Sequence, residues 1–267
     1  MGADLEILLT NDDGIDSVGL RAMYEGLSSV GNVTTVAPAD DQSAVGRSLS
    51  TVVDVDEHEL GYALHGTPAD CVVAGLAELG PFPDLVVSGC NRGANLGEYV
   101  LGRSGTISAA VEAAFFDVPA IATSMYVSVS EGSFANADPD PDHYREAVRA
   151  TTYLAERAIE AGVFDPAAYL NINAPMVADG EQCGLELTRP SRRYEMDATH
   201  DGEQIHLQDR IWETMDPESL PDPPGTDRRA VVEGRISVSP LTAPHAIHHP
   251  AALERLIEDY PADSGPA

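Results

Sequence analysis

Residues 5–14 read LEILLTNDDG, and this stretch decides the fold class. Its first five residues form a short, mostly apolar run, which is typical of a strand buried within a sheet. The polar residues after it are typical of a loop, and apolar residues then recur at helical spacing from Leu20 to Leu27, which predicts a helix over 17–30. A buried strand, a loop and an amphipathic helix in this order predict one unit of a parallel sheet with helices on its faces.

The same alternation continues outward from this first unit. Further strands are predicted at 32–37, 85–88, 120–124 and 169–173, an inserted β pair at 49–54 and 60–65, and further helices at 67–79, 104–116 and 144–161. A surface loop is predicted at 130–142, and after about residue 180 strand-like runs follow at 185–189, 204–208, 210–213 and 235–238, with a last helix at 250–260. We therefore predict an α/β core over 1–180 and a C-terminal extension over 181–267, joined in one continuous structural domain.

The charge of the chain is far from balanced. It has 44 acidic and 15 basic residues, a formal net charge of -29, and every basic residue is Arg. Such a charge repels DNA phosphates and anionic lipids, so we expect neither a nucleic-acid groove nor a membrane surface. At molar salt the Debye length falls to about 3 Å, which screens most of this repulsion. The carboxylates are spread along the chain rather than gathered in an acidic tail, so the composition predicts a halophilic source with a salt-rich cytoplasm.

The N-terminus and the cysteines argue against a secreted or membrane protein and against a cysteine-based framework. Residues 1–6 lack the basic and apolar regions of a signal peptide, and no apolar stretch is long enough to span a bilayer, so we expect a cytoplasmic location. Cys71, Cys90 and Cys183 are odd in number and share no C-x-x-C spacing, which favours buried thiols over a disulfide framework or a thiolate metal site.

Three loops carry oxygen-bearing side chains directly after predicted buried strands. Asp12 and Asp13 follow the first strand, Ser43 follows the second and Asn91 follows the third. Ligands bind at the carboxyl edge of open α/β sheets, where such side chains meet. Two carboxylates, a hydroxyl and an amide oxygen suit hard cations such as Mg²⁺, Mn²⁺ or Ca²⁺. The alternative is that residues 11–14, NDDG, only make a turn, which these residue types commonly do.

A second element of the candidate site is Ser104, Gly105 and Thr106 at the start of a predicted helix. Free backbone N–H groups and two hydroxyls at such a terminus can hold a phosphate. A plain N-cap by Ser104 is the alternative use of this residue. The histidines at 245, 248 and 249 lack the helical spacing of a metal site, and we expect them to be surface residues.

Several dense motifs in the same order resemble the SurE, or stationary-phase survival protein, nucleotidases. They are ILLTNDDG at 7–14, VAP at 36–38 with QS at 42–43, GTPADCV at 66–72, DLVVSGCNRGANLG at 84–97, SGT at 104–106, LNINAP at 170–175, GTD at 225–227 and SVSPL at 237–241. The resemblance implies a three-layer α/β/α sandwich with a Rossmann-like, mostly parallel catalytic core. It also implies a projecting C-terminal part, β-rich and helical, that makes homodimer or homotetramer contacts.

The family's function and site residues carry over to matching positions of this chain. The resemblance implies a 5'-nucleotidase that hydrolyses nucleoside 5'-monophosphates with one divalent cation per subunit, Mg²⁺ or Mn²⁺. It puts the metal ligands at Asp12, Asp13, Ser43 and Asn91, with the two aspartates catalytic, and phosphate binding at Asn95 and 104–106. Two alternatives stay open: a metal-dependent nucleotide sensor without turnover, and attack by Asp12 or Asp13 in place of water.

Overall fold

The computed structural model describes residues 5–127, 140–177 and 181–243. Eleven strands lie in these ranges: β1 (Leu5–Thr10), β2 (Gly31–Pro38), β3 (Val55–His58), β4 (Gly61–Leu64), β5 (Leu85–Arg92), β6 (Ala120–Tyr126), β7 (Tyr169–Pro175), β8 (Leu185–Leu187), β9 (Met196–His200), β10 (Ile205–Asp209) and β11 (Ile236–Leu241). The α-helices of the described ranges are α1 (Val18–Leu27), α2 (Pro68–Ala77), α3 (Gly105–Phe115), α4 (Arg145–Arg157) and α5 (Asp227–Val232).

Nine of these strands form one mostly parallel sheet in the order β3-β4-β2-β1-β5-β6-β7-β11-β8. The six strands from β4 to β7 in this order run parallel, whereas β3 and β11 run antiparallel to β4 and β7. Helix α1 packs against α4, and α2 packs against α3. The predicted α/β class, with helices on a mostly parallel sheet, is therefore confirmed.

The central strand β1 is buried because both of its faces are covered. Ile7 and Leu9 join the apolar cluster that contains Met23 of α1, while Leu8 joins the cluster that contains Val72 of α2. This split follows from the two-residue period of a strand, which points successive side chains to opposite faces. The apolar run read from the sequence is thus a strand between two helix layers.

Three local predictions need correction, and two short elements were not predicted. The first strand of the inserted pair lies at Val55–His58 and not at 49–54, because this exposed edge strand carries Asp and Glu in place of an apolar pattern. Strand β5 continues to Arg92, past the predicted end at residue 88. Residues 210–214 form a 3₁₀ turn capped by the Asp209 side chain, not a strand. Strand β9 and helix α5 were missed, since with five and six residues both are too short to show an apolar period.

The C-terminal part contributes to two sheets. Strands β8 and β11 extend the large sheet, while β9 and β10 form a separate antiparallel pair. The division at residue 180 remains a prediction, and the predicted helix at 250–260, the histidines at 245–249 and most of the predicted loop at 130–142 lie outside the described residues. Within the described ranges no helix has the length and apolar character needed to cross a membrane.

Candidate metal and phosphate site

The loops after β1 and β2 and the C-terminal end of β5 meet at one edge of the sheet because these three strands are parallel neighbours. Hydrogen bonds tie the loops together. The backbone N–H of Gln42 donates to the carbonyl of Asp12 at 2.7 Å. The backbone N–H of Arg92 donates to Oδ2 of Asp13 at 2.8 Å. Ser43 and Asn91 are the sequence neighbours of these two donors, so the four predicted metal ligands come from two loops and one strand end in direct contact. Asn91 lies within β5 and not in a loop after it, because this strand is longer than predicted.

The two aspartates are placed where a negative charge is costly. Asp12 is buried, with 3% of its surface exposed, and burial raises the pKa of its carboxyl. Asp13 is half-buried, and burial together with the charge of Asp12 raises its pKa to about 6. A cation between two such carboxylates favours the ionised form of both. The arrangement therefore fits a positively charged ligand.

The hydrogen bonds of Ser43 and Asn91 leave lone pairs on their side-chain oxygens free for a cation. The hydroxyl of Ser43 donates its proton to Oδ1 of Asp41 at 2.6 Å. The side-chain nitrogen of Asn91 donates to the carbonyl of Gly93 at 2.6 Å, which leaves the amide oxygen as an acceptor. Nowhere in the described ranges do three His, Cys, Asp or Glu side chains form a metal-binding group. The candidate set instead mixes two carboxylates with neutral oxygens, a donor chemistry that fits Mg²⁺ or Mn²⁺.

The predicted phosphate cradle begins helix α3 beside these carboxylates. Ser104 is the N-cap, and its Oγ accepts from the backbone N–H of Ile107 at 3.1 Å, which is the alternative role considered for this residue. Thr106 does not point its hydroxyl into open space, because it donates to Oδ1 of Asp12 at 2.6 Å. This bond joins the phosphate element to the metal element, and spacing along the sequence gives no sign of it.

Asn95 is held by a buried polar network. Its backbone N–H donates to Oδ1 of Asn173 at 2.8 Å, and its carbonyl accepts from the side-chain amides of Asn171 and Asn173 at 3.0 Å each. Its own amide donates to Ser124 Oγ at 2.9 Å and approaches Thr106 Oγ1 at 3.4 Å. Asn171, Asn173 and Ser124 are not among the site residues predicted from the sequence. Asn171 and Asn173 lie two residues apart on one face of the predicted strand 169–173, and this pair of polar side chains in a buried strand is the sequence pattern that indicates the network.

Comparison with known proteins identifies the family. The family model described as "Survival protein SurE" matches residues 7–197. This chain belongs to the SurE family. It is 64% identical over 260 residues to the 5'-nucleotidase SurE of Haloarcula marismortui, covering 97% of this chain and 96% of that one. It is 58% identical over 256 residues to the 5'-nucleotidase SurE of Halobacterium salinarum, covering 96% and 98%.

A solved structure and the source organisms complete the comparison. The SurE protein from Aquifex aeolicus is similar in fold, with a TM-score of 0.76 and 29% identity, covering 95% of this chain and 100% of that one. The relatives of high identity come from halophilic archaea. This confirms both the predicted SurE membership and the halophilic source inferred from the acidic composition.

Gly105 allows helix α3 to approach Asp12 in this SurE chain. A Cβ at residue 105 would lie 2.7 Å from Cβ of Asp12 and 2.9 Å from its Oδ2. We therefore expect Gly105→Ala to displace Asp12 and to lower kcat about 100-fold in a phosphatase assay. A displacement of about 1 Å in an active site can lower the rate by that factor. Gly102→Ala is the matched control, because a Cβ there meets nothing within 4 Å. Equal kcat for the two variants would contradict the placement of Asp12.

Proposed function

We propose that this SurE chain is a divalent-metal-dependent 5'-nucleotidase that hydrolyses nucleoside 5'-monophosphates to a nucleoside and phosphate. One observation carries the proposal. A single carboxylate, Asp12, belongs to the candidate metal set and accepts a hydrogen bond from Thr106 in the candidate phosphate cradle. A cation and a phosphate held by these two elements would lie next to each other, which is the arrangement that metal-assisted phosphate hydrolysis requires. The name 5'-nucleotidase SurE of relatives at 64% and 58% identity supports the same activity.

One set of residues would bind the cation and another would bind the phosphate. Asp12, Asp13, Ser43 and Asn91 would hold the ion, which when bound polarises a phosphoryl oxygen and lowers the pKa of a coordinated water. The start of α3 would hold the phosphate through the Ser104 hydroxyl and the backbone N–H of Gly105. The side-chain amide of Asn95 lies 3.4 Å from Thr106 Oγ1, which is long for a hydrogen bond. We therefore assign this amide N–H of Asn95 to a phosphate oxygen when substrate binds.

Water is the better candidate for the attacking group than either aspartate. Oδ1 of Asp12 already accepts from Thr106, and Oδ2 of Asp13 accepts from Arg92. Carboxylates that accept such bonds and also hold a cation are weaker nucleophiles than free ones. We therefore assign the aspartates to holding the ion and to orienting or deprotonating the attacking water.

Release of inorganic phosphate from AMP or GMP tests the proposal against a nucleotide sensor without turnover. The assay is run in 3 M KCl with Mn²⁺ or Mg²⁺, beside a measurement of AMP binding by calorimetry. Multiple turnovers support the nucleotidase. Binding of AMP without phosphate release would overturn it in favour of the sensor.

We also propose that the chain works as a homodimer or homotetramer, with the β9–β10 pair in the contact. Ile205 and Leu207 lie on one face of β10, and 66% and 72% of their surfaces are exposed. An isolated pair of strands is marginally stable in water, so we expect this apolar face to pack against another subunit.

Light scattering at high salt checks the assembly. We expect at least a dimer mass for the wild type and a shift toward monomer for Leu207→Asp, because the new charge enters an apolar contact. Thr199→Asp is the control, since Thr199 pairs with His206 and lies on the opposite face of the pair. A monomer mass for the wild type would refute the proposal.

A further inference from the structure

An aromatic and guanidinium cluster includes Arg103, the residue before the N-cap of the candidate phosphate cradle. The rings of Tyr99 and Tyr194 are 5.2 Å apart between centroids and meet edge to face at 61°. The Cζ atom of Arg103 lies 5.4 Å from the first ring and 5.7 Å from the second. Nη2 of Arg103 also donates to the hydroxyl of Tyr194 at 3.1 Å. Three side chains from two distant segments thus form one compact group.

Polar residues, including the buried Arg228, contact this cluster and the chain next to it. Arg228 is buried, with 1% of its surface exposed, and its Cζ lies 5.5 Å from the Tyr99 ring. Its Nη1 donates to Ser191 Oγ and to the carbonyl of Arg193, both at 3.1 Å, which holds the chain just before Tyr194. The hydroxyl of Tyr99 donates to Asp209. The Tyr99 ring and the backbone before Tyr194 are therefore held by protein contacts, and such preorganisation reduces the entropy cost of binding.

The position of the cluster relates it to the phosphate site. Arg103 directly precedes Ser104, the N-cap of α3, and its carbonyl accepts from the backbone N–H of Gly46 at 3.1 Å. The loop that carries Ser43 therefore contacts the backbone of Arg103, directly before the start of α3. Arg103 is thus the residue next to the N-cap of the candidate phosphate cradle, which makes its cluster a candidate contact for the rest of a nucleotide whose phosphate binds at the start of α3.

The charge of Arg103 is unusual for this chain. Most of the arginines in the described ranges pair with a carboxylate, as Arg21 does with Glu59. Arg103 forms no such ion pair within those ranges, and its side chain contacts the two tyrosines. In a chain of net charge -29, a guanidinium without a carboxylate partner is a local attraction for an anion. Tyr194 adds a ring with 53% of its surface exposed.

We infer that Tyr99, Arg103 and Tyr194 form the nucleobase subsite of this enzyme, with the base stacked on the exposed ring of Tyr194. The inference rests on the proposed nucleotidase function. Aromatic rings and guanidinium planes stack on any base, because every base has a π-face. The subsite therefore favours nucleotides over phosphomonoesters without a base and accepts different bases.

Comparison of AMP with ribose 5-phosphate isolates the contribution of the base. For Tyr194→Ala we expect kcat/KM on AMP to fall about tenfold, mainly through KM, so that the preference for AMP over ribose 5-phosphate falls by a similar factor. Tyr194→Phe keeps the ring and is expected to retain most of the wild-type preference. The matched control is Tyr153→Ala, which removes a tyrosine that is 50% exposed and lies 4.5 Å from the Arg157 guanidinium on α4.

The outcomes separate this inference from the function on which it rests. Loss of phosphate release from both substrates by the same factor in Tyr194→Ala, or no loss on AMP, overturns the subsite and leaves the nucleotidase in place. A wild type that releases phosphate from neither substrate overturns the nucleotidase and the subsite with it. A lower AMP preference in Tyr194→Ala, at an unchanged mass in light scattering, supports the subsite over a structural role.

Discussion

Replacing Asp12 or Asp13 by Asn is expected to lower kcat for phosphate release from AMP by about 1,000-fold or more. The loss corresponds to about 4 kcal/mol of transition-state stabilisation, which is the scale of a cation's contribution to phosphate hydrolysis. An amide keeps the size of the side chain but removes the negative charge that holds the ion. Because Asp12 also accepts the Thr106 hydroxyl, Asp12→Asn disturbs the phosphate element as well.

The loss must be separated from unfolding. Burial raises the pKa of Asp12 and Asp13, so in metal-free protein their charges oppose folding. We therefore expect Asp12→Asn to melt at the same temperature as the wild type, or higher, when EDTA is present. Asp16→Asn is the control, since the Asp16 carboxylate lies in the same loop but is exposed and faces His58. A kcat for Asp12→Asn within tenfold of the control would contradict the assigned role.

The second large effect concerns salt. With 44 acidic and 15 basic residues, the folded chain is expected to lose stability as KCl falls from 3 M to 0.1 M. The Debye length grows to about 10 Å at 0.1 M, so repulsion between neighbouring surface carboxylates is no longer screened. A loss of about 3 kcal/mol would lower the melting midpoint by roughly 6–12 °C for a chain of this size.

Thermal melts at the two salt concentrations measure this effect. Salt also strengthens apolar burial, so a charge variant is needed to show that screening is the cause. Changing the exposed Glu25, Glu78 and Glu160 together to Gln should reduce the salt dependence of the midpoint. A midpoint that is unchanged or higher in dilute buffer would contradict the halophilic interpretation.

The parts of the fold that could be predicted are those that the sequence marks with apolar periodicity. Leu5–Thr10 is buried on both faces and reads as a strand, whereas the edge strand Val55–His58 carries charges toward solvent and does not. Metal-ligand candidates were predictable because parallel strands bring their carboxyl ends to one edge. The link from Thr106 to Asp12 spans 94 positions, and the contacts of Asn171 and Asn173 with Asn95 span 76 and 78. Such contacts depend on how β7 and α3 pack, which local sequence does not encode.

In the proposed mechanism, the loops after β1 and β2 and the C-terminal end of β5 hold one divalent cation that the hydrolysis requires. Titration of EDTA-treated, desalted enzyme with Mn²⁺ in 3 M KCl tests it most directly, with phosphate release from AMP and the electron paramagnetic resonance signal of free Mn²⁺ followed in the same samples. We expect no phosphate release before Mn²⁺ is added and a rise that saturates as one ion binds per chain. The Asp12→Asn, Asp13→Asn double variant should bind none at the same concentrations. Full activity in excess EDTA, or Mn²⁺ binding by the double variant equal to that of the wild type, would contradict the account.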